Sequence, residues 1–242
     1  MERLETYLFD VDGTLTAPRQ KMDISSVFSF LDLLENKNFF LITGSDLPKL
    51  LEQIPHSIIS RANGYFTCMG NEFHIGRDKI YENKFTCPDS LNTHLLNFKT
   101  DSQCPNKKTD YIETRIGMVN FSTLGRSATK QERDEYEKWD SEHKEREAIV
   151  KILTPKYPHI EFKIGGQISI DIFPRGYDKA YAYYHLAQNN LIEKENTFFF
   201  GDKCSRSGNA PSIYTVNQIN GGQSFHVTNH NQTFSILEDL IN

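Results

Sequence analysis

Apolar residues in this chain gather in short runs that end in polar or acidic ones. Residues 6–9 (TYLF), 39–42 (FFLI) and the stretch TFFFGDK are each long enough for a buried strand. Each leads straight into polar residues, at Asp10, at TGSD and at Asp202. After the first run, Ile24, Val27, Phe28, Leu31 and Leu34 recur at helical spacing, and KAYAYYHLAQNNL carries a second helical pattern upstream of TFFFGDK. Strands alternating with helices predict a parallel α/β sheet. Sites on such sheets lie beyond the carboxyl ends of the strands, where Asp10, Ser45 and Asp202 all fall.

The middle of the chain has another texture. YIETRIGMVNFS and IEFKIGGQISIDIFP alternate in strand fashion; in the second, Ile168, Ile170 and Ile172 take one face, and Ser169 and Asp171 the other. Between them TKQERDEYEKWDSEHKEREAIVKIL reads as one long charged helix, with Thr129 and Glu132 at capping-box spacing. The pattern predicts a separate α+β domain over residues 84–176, inserted into an α/β core formed by 1–83 and 177–242.

Composition narrows the possibilities. At 242 residues with 38% hydrophobic content the chain can bury a sizeable core, as one large domain or two small ones. A formal net charge of −5 gives no general affinity for nucleic acid, so an anionic substrate would need a local cluster of arginines. The four cysteines are scattered without a CxxC pair, which argues against a zinc site or a disulfide framework and fits a reducing compartment. MERLET lacks the apolar segment of a signal peptide, and no apolar run approaches membrane-spanning length, so a soluble, cytoplasmic protein is expected.

The candidate chemistry starts at DVDGTLT. Residues i and i+2 of a strand share a face, so Asp10 and Asp12 should project towards one point. Two close carboxylates repel unless a cation or a shared proton separates them, and magnesium is the hard cation that prefers oxygen ligands. One carboxylate could then attack a phosphoryl group while the other moves the proton. Gly13 permits a sharp turn that exposes main-chain N–H groups to a phosphate. A calcium loop also begins D-x-D-G, but its twelfth residue must be Glu and here it is Lys21. A solvated turn is the plainer alternative for the motif alone.

DVDGTLT resembles the signature of haloacid-dehalogenase-type phosphotransferases, and Ser45 in TGSD, Lys179 in YDK and Asp202 in FFGDK follow in the order that superfamily expects. The resemblance implies that Asp10 becomes an aspartyl-phosphate and Asp12 is the acid/base. It also implies that Ser45 holds the transferring phosphoryl group, Lys179 offsets charge around Asp10, and magnesium is held at Asp10, Asp12 and Asp202. DVDGTLTAPRQ, IGMVNFSTLGRSATKQERDEY and GGQISIDIFPRGYDK look like the eukaryotic phosphomannomutase family, over nearly the whole chain. That family is built as a Rossmann-like core with an α+β cap. The likeness implies a cap holding the phosphate not being transferred, through Arg115, Arg126 and Arg133, with Arg19 following the nucleophile loop and Ser169 and Asp171 contacting the sugar. It implies a phosphohexomutase activated by glucose or mannose 1,6-bisphosphate, serving GDP-mannose synthesis, and a homodimer joined through the cap. Several arginines suit this task because they grip phosphate bidentately without demanding one sugar orientation.

The chain departs from the family at four places. Ala210 stands where the Gly-Gly-Asn-Asp turn has its acid, TVNQI replaces Thr-Asp-Pro-Arg-Thr, CMGNEF replaces Glu-Asn-Gly, and Arg175 replaces an acidic residue. The loss at Ala210 is expected to weaken metal affinity, by about 10–100-fold if that acid orients the metal's ligands. These changes motivate two rivals, a sugar-phosphate phosphatase and a sugar-phosphate-binding homologue with impaired catalysis.

Overall fold

A computed structural model describes residues 5–202, 204 and 211–241. Ala210, with Gly208 and Asn209 of the same turn, lies outside the described residues. The chain divides into two compact units, Met1–Asn83 with Tyr177–Asn242, and Lys84–Gly176.

Among the described residues the first unit is a Rossmann-like α/β fold around a seven-stranded sheet. Its strands are β1 (Thr6–Asp10), β2 (Asn38–Ile42), β3 (Gly64–Thr67), β4 (Glu72–Ile75), β5 (Asp78–Glu82), β10 (Thr197–Gly201) and β11 (Gln223–His226). They lie in the order β11-β10-β1-β2-β3-β4-β5, and the first five in that order are parallel. The last two pairings are antiparallel, which the alternation of strands and helices did not predict. The connections are the cause: β3 reaches β4 through Cys68–Asn71, and β4 reaches β5 through Gly76, too short for the crossover that parallel strands need.

Helices α1 (Ile24–Leu33), α2 (Leu47–Gln53), α3 (His56–Ile59), α7 (Lys179–Gln188), α8 (Pro211–Ile219) and α9 (His230–Ile241) complete this unit. Every residue of β1 is buried, because strands on both sides and apolar clusters on both faces leave it no solvent. Phe9 stacks on Phe200 at 5.1 Å and takes the edge of Phe30 at 5.2 Å, giving the strand that ends at Asp10 a stiff support. The buried face of α1 differs from the expected one. Val27, Phe30 and Leu34 face the core, while Ile24 and Phe28 are 76% and 68% exposed. Phe30 does the core packing that the pattern assigned to Phe28, meeting Phe9, Phe39 and Phe234.

The second unit has, among the described residues, a four-stranded antiparallel sheet in the order β6-β7-β9-β8. These strands are β6 (Ile112–Arg115), β7 (Met118–Phe121), β8 (Ile160–Gly165) and β9 (Ser169–Pro174), with helices α4 (Asp89–Asp101), α5 (Lys130–His143) and α6 (Glu145–Leu153). IEFKIGGQISIDIFP is thus a hairpin of two strands. Leu91, Leu95, Ile149, Leu153 and the strand residues Val119, Phe121, Phe162, Ile170 and Ile172 form one core, leaving the opposite sheet face polar. The charged segment is two helices, broken at Lys144 in the left-handed conformation with φ 56°. The break lets Arg146 turn back onto Asp140 at 2.7 Å, a buried pair that straight helix could not make. The Thr129–Glu132 capping box is present at the start of α5.

Candidate active site

In the first unit Asp10, Ser45 and Asp202 come at or just after the ends of neighbouring parallel strands, so they share the carboxyl end of the sheet. Asp10 ends β1, in register with Ile42 of β2, and is 3% exposed. Its Oδ1 accepts from the Val11 N–H at 2.8 Å and its Oδ2 pairs with Lys179 Nζ at 2.6 Å. Lys179 is fully buried at the start of α7, where Asp178 caps the helix by accepting from the Ala180 N–H. A buried ion pair of this kind is a poor stabiliser in itself, but removing either partner strands the other charge and costs about 3–5 kcal/mol. The pair therefore holds a single carboxylate oxygen in place.

After Asp10 the chain turns tightly: the N–H groups of Thr14, Leu15 and Thr16 all point at the Val11 carbonyl, and Gly13 takes φ 79°. The turn carries Asp12 away from the strand. Its Oδ1 accepts from the Arg19 main-chain N–H at 2.7 Å and from Gln53 Nε2 at 2.8 Å, while Oδ2 faces Ser45 Oγ at 3.4 Å. Gln53, at the end of α2, was not anticipated from the sequence. It is 2% exposed, and nothing in its local pattern marks it as more than a polar helix-end residue.

Ser45 sits on the loop after β2, steadied by its N–H to Thr43 Oγ1 at 3.0 Å. The CMG turn grips the same loop, with the Cys68 N–H on the Ser45 carbonyl and the Met69 N–H on that of Thr43. This departure from the family motif thus works through main chain, with Cys68, Met69 and Gly70 all at positive φ. The TVNQI departure is structural too: Asn217 Nδ2 ties α8 to the carbonyls of Thr197 and Gln223. Arg175 makes a long, exposed pair with Glu161 at 3.8 Å.

Asp202 follows β10. A Cβ on Gly13 would lie 2.2 Å from its Oδ2, so only glycine lets that carboxylate rest against the turn. Burial, with the negative charges of Asp10 and Asp202 nearby, pushes the Cys204 thiol up to about 12. Asp10 and Asp202 both act on the Cys204 thiol, and their carboxylates, with that of Asp12, are hard oxygen donors of the kind that suits magnesium. Asp12's carboxylate also takes three hydrogen-bond donors, a setting that fits proton transfer. Among the described residues no group of three or more His, Cys, Asp or Glu side chains has metal-site spacing.

In the second unit the polar sheet face carries the other candidates. Glu113, Asn120, Asp171 and Lys163 lie in register across the four strands, with Arg115 and Ser169 two residues along. Arg126 reaches Ser169 Oγ through Nη1, and its Nε donates to Glu113 Oε2 at 2.7 Å; Arg115 Nε donates to Glu113 Oε1 at 2.8 Å. Arg133 spends Nε and Nη2 on the carbonyls of Ala128 and Arg126, at 2.8 and 2.6 Å, and so braces the loop that carries Arg126. Burial pushes the Asp171 carboxyl up against the opposing pull of Arg115, the Asn120 hydrogen bond and Arg126. Its carboxylate lies over Gly165, where a Cβ would come within 2.4 Å.

Glu113 and Asn120 were not singled out from the sequence, because only strand pairing reveals that they join the arginines and Asp171. Asn120 is 3% exposed, and its Oδ1 has no partner among the described residues. Asp10, Asp12, Ser45, Lys179 and Asp202 thus meet in the first unit, where the main chain of Arg19 joins them. Arg115, Arg126, Arg133, Ser169 and Asp171 meet in the second.

A family model described as eukaryotic phosphomannomutase matches residues 28–242. The chain is 38% identical over 223 residues to the phosphomannomutase of Dendrobium officinale, covering 86% of this chain and 83% of that one. It is 36% identical over 242 residues to phosphomannomutase 1 of Dictyostelium discoideum, covering 96% and 95%. Among solved structures, a truncated IMP-nucleotidase of Plasmodium falciparum aligns with 100% of this chain and 71% of its own, at a TM-score of 0.64 and 16% identity. A sugar phosphatase of haloacid dehalogenase subclass IIB aligns over 98% of both chains at 0.58 and 13%. At such identities the structural likeness speaks for the fold.

Proposed function

Because the chain belongs to the eukaryotic phosphomannomutase family, we propose that it interconverts mannose 1-phosphate and mannose 6-phosphate through an aspartyl-phosphate on Asp10 and a hexose 1,6-bisphosphate. The observation that carries this reading is the Asp10 carboxylate, fixed at the strand end by the Val11 N–H and Lys179, with Asp12 on the following turn.

In the first half-reaction the bond between phosphorus and Asp10 breaks as a sugar hydroxyl oxygen bonds to phosphorus. The hydroxyl proton passes to Asp12. In the second, Asp10 takes the phosphoryl group back from the other end of the bisphosphate, and Asp12 returns its proton to the departing sugar oxygen. The Arg19 N–H and Gln53 would keep Asp12 aimed for both transfers, and Ser45 would hold the transferring phosphoryl group. Asp10, Asp12 and Asp202 would hold magnesium, which when bound would mask negative charge on the phosphoryl oxygens. Arg115, Arg126 and Arg133 would hold the other phosphate, with Arg19 also contacting the substrate and Ser169 and Asp171 the sugar hydroxyls. Glucose or mannose 1,6-bisphosphate would prime Asp10, and the product would feed GDP-mannose synthesis in the cytoplasm. Among the described residues no helix is long and apolar enough to cross a membrane.

A homodimer through the second unit completes the reading.

Phosphorus NMR tests the function directly. With mannose 1-phosphate, magnesium and a trace of glucose 1,6-bisphosphate, mannose 6-phosphate should form only when the bisphosphate is present, and Asp10→Asn should abolish it. Inorganic phosphate as the sole product would replace the mutase with a phosphatase.

A further inference from the structure

The second unit presents two of its arginines already paired with one carboxylate. Glu113 sets one carboxylate oxygen against each of two guanidinium groups, Oε1 on Arg115 Nε at 2.8 Å and Oε2 on Arg126 Nε at 2.7 Å. A phosphate would engage the two groups in much the same way, oxygen by oxygen. The carboxylate stays ionised: burial raises its pKa, but the two arginines together pull it below the ordinary value.

Glu113 is also the more accessible member of its pair with Arg126. Its side chain is 39% exposed and stands on β6 at the edge of the sheet, whereas Arg126 is 16% exposed and anchored to Ser169. Arg126 is therefore the more enclosed member of that pair, while Glu113 and Arg115 are equally exposed, at 39% and 40%. Beyond Glu113 the same row continues with Asn120, whose buried Oδ1 has no partner among the described residues, so the polar face has hydrogen-bonding capacity to spare.

We propose that Glu113 is a built-in competitor for the phosphate of the sugar: it occupies Arg115 and Arg126 when no ligand is bound, and its return helps to expel the phosphate. This rests on the reading of those arginines as phosphate holders. It supplies something a mutase needs, since a bisphosphate that must be presented by either end has to be released as readily as it is gripped. Arginines left without a counter-charge would bind more tightly and release more slowly.

Calorimetric titration of the whole chain with mannose 6-phosphate, in EDTA so that no turnover occurs, reads the sign of the effect. Glu113→Gln keeps the shape and removes the charge, and should tighten binding by roughly tenfold or more at low salt, with the gain shrinking as ionic strength rises. In turnover assays the same variant should lower KM and kcat together, because release slows. Glu113→Ala should also bind more tightly, which guards against a defect peculiar to the glutamine. Weaker or unchanged binding in both variants would overturn the proposal and make Glu113 a brace for the arginines. Arg126→Ala separates the two levels: if it leaves the wild-type affinity unchanged, the phosphate-holding reading fails and the Glu113 proposal falls with it. If Arg126→Ala abolishes binding while the Glu113 variants gain nothing, only the proposal fails.

Discussion

At the scale of single residues, what matters is which polar atoms are held and by whom. Gln53 and the Arg19 N–H together fix one oxygen of Asp12, leaving the other towards Ser45. Gln53→Leu removes one of those donors without adding bulk. It should lower kcat by about tenfold or more while leaving KM for hexose phosphates little changed, as steady-state kinetics would read. Asp171 shows the opposite bargain, a carboxylate kept where folding would prefer a neutral group. Its pKa is raised by burial, so the folded state holds its proton more tightly than the unfolded one. Its contribution to stability therefore falls as pH rises from the ordinary value of 3.8 through the raised one, and stays unfavourable above that window. Asp171→Asn should raise Tm at pH 7 and remove that pH dependence, while raising KM. Thermal melts at several pH values, with kinetics, would check both halves.

At the scale of elements, local rules explain the ends of segments better than their interiors. The capping box at Thr129 was legible because both partners lie within one turn of helix. The break at Lys144 was not, because no glycine or proline marks it. The break is held by the Arg146–Asp140 pair, which local propensity does not encode. A left-handed lysine costs roughly 1–2 kcal/mol, and the exposed Lys144–Glu147 pair returns little. Lys144→Gly should therefore raise the unfolding free energy by about 0.5–1 kcal/mol after the extra chain entropy of glycine is deducted, as urea titration would show. Helix α1 makes a related point. Its 3.6-residue period was visible and placed Phe28 in the core, but the sheet beneath selected Phe30.

At the scale of the whole molecule, the two units have separate hydrophobic cores. Among the described residues no apolar cluster includes residues from both. Chains so divided depart from two-state unfolding. Scanning calorimetry should resolve two transitions, and mannose 6-phosphate should move the one belonging to residues 84–176. At a hundred times Kd that stabilisation is about 2.7 kcal/mol. A single transition unaffected by the ligand would count against independent cores and against phosphate binding in that unit. The net charge of −5 is consistent with such binding, because Arg115 and Arg126 converge on one point of that unit's sheet.

The sequence by itself determined the strands that end in Asp10, before Ser45 and at Asp202, the polar alternation that carries Ser169 and Asp171, and the family likeness. All of these are written in short periods or contiguous motifs. Only the tertiary structure decided that Gln53 would meet Asp12 across 41 residues, that Asn120 would meet Asp171 across 51, and that Glu113 would sit between two arginines. The physical reason is register. Backbone periodicity tells which face a residue takes, but which partner it meets there depends on how strands and helices pair, and that is settled by packing of the whole unit.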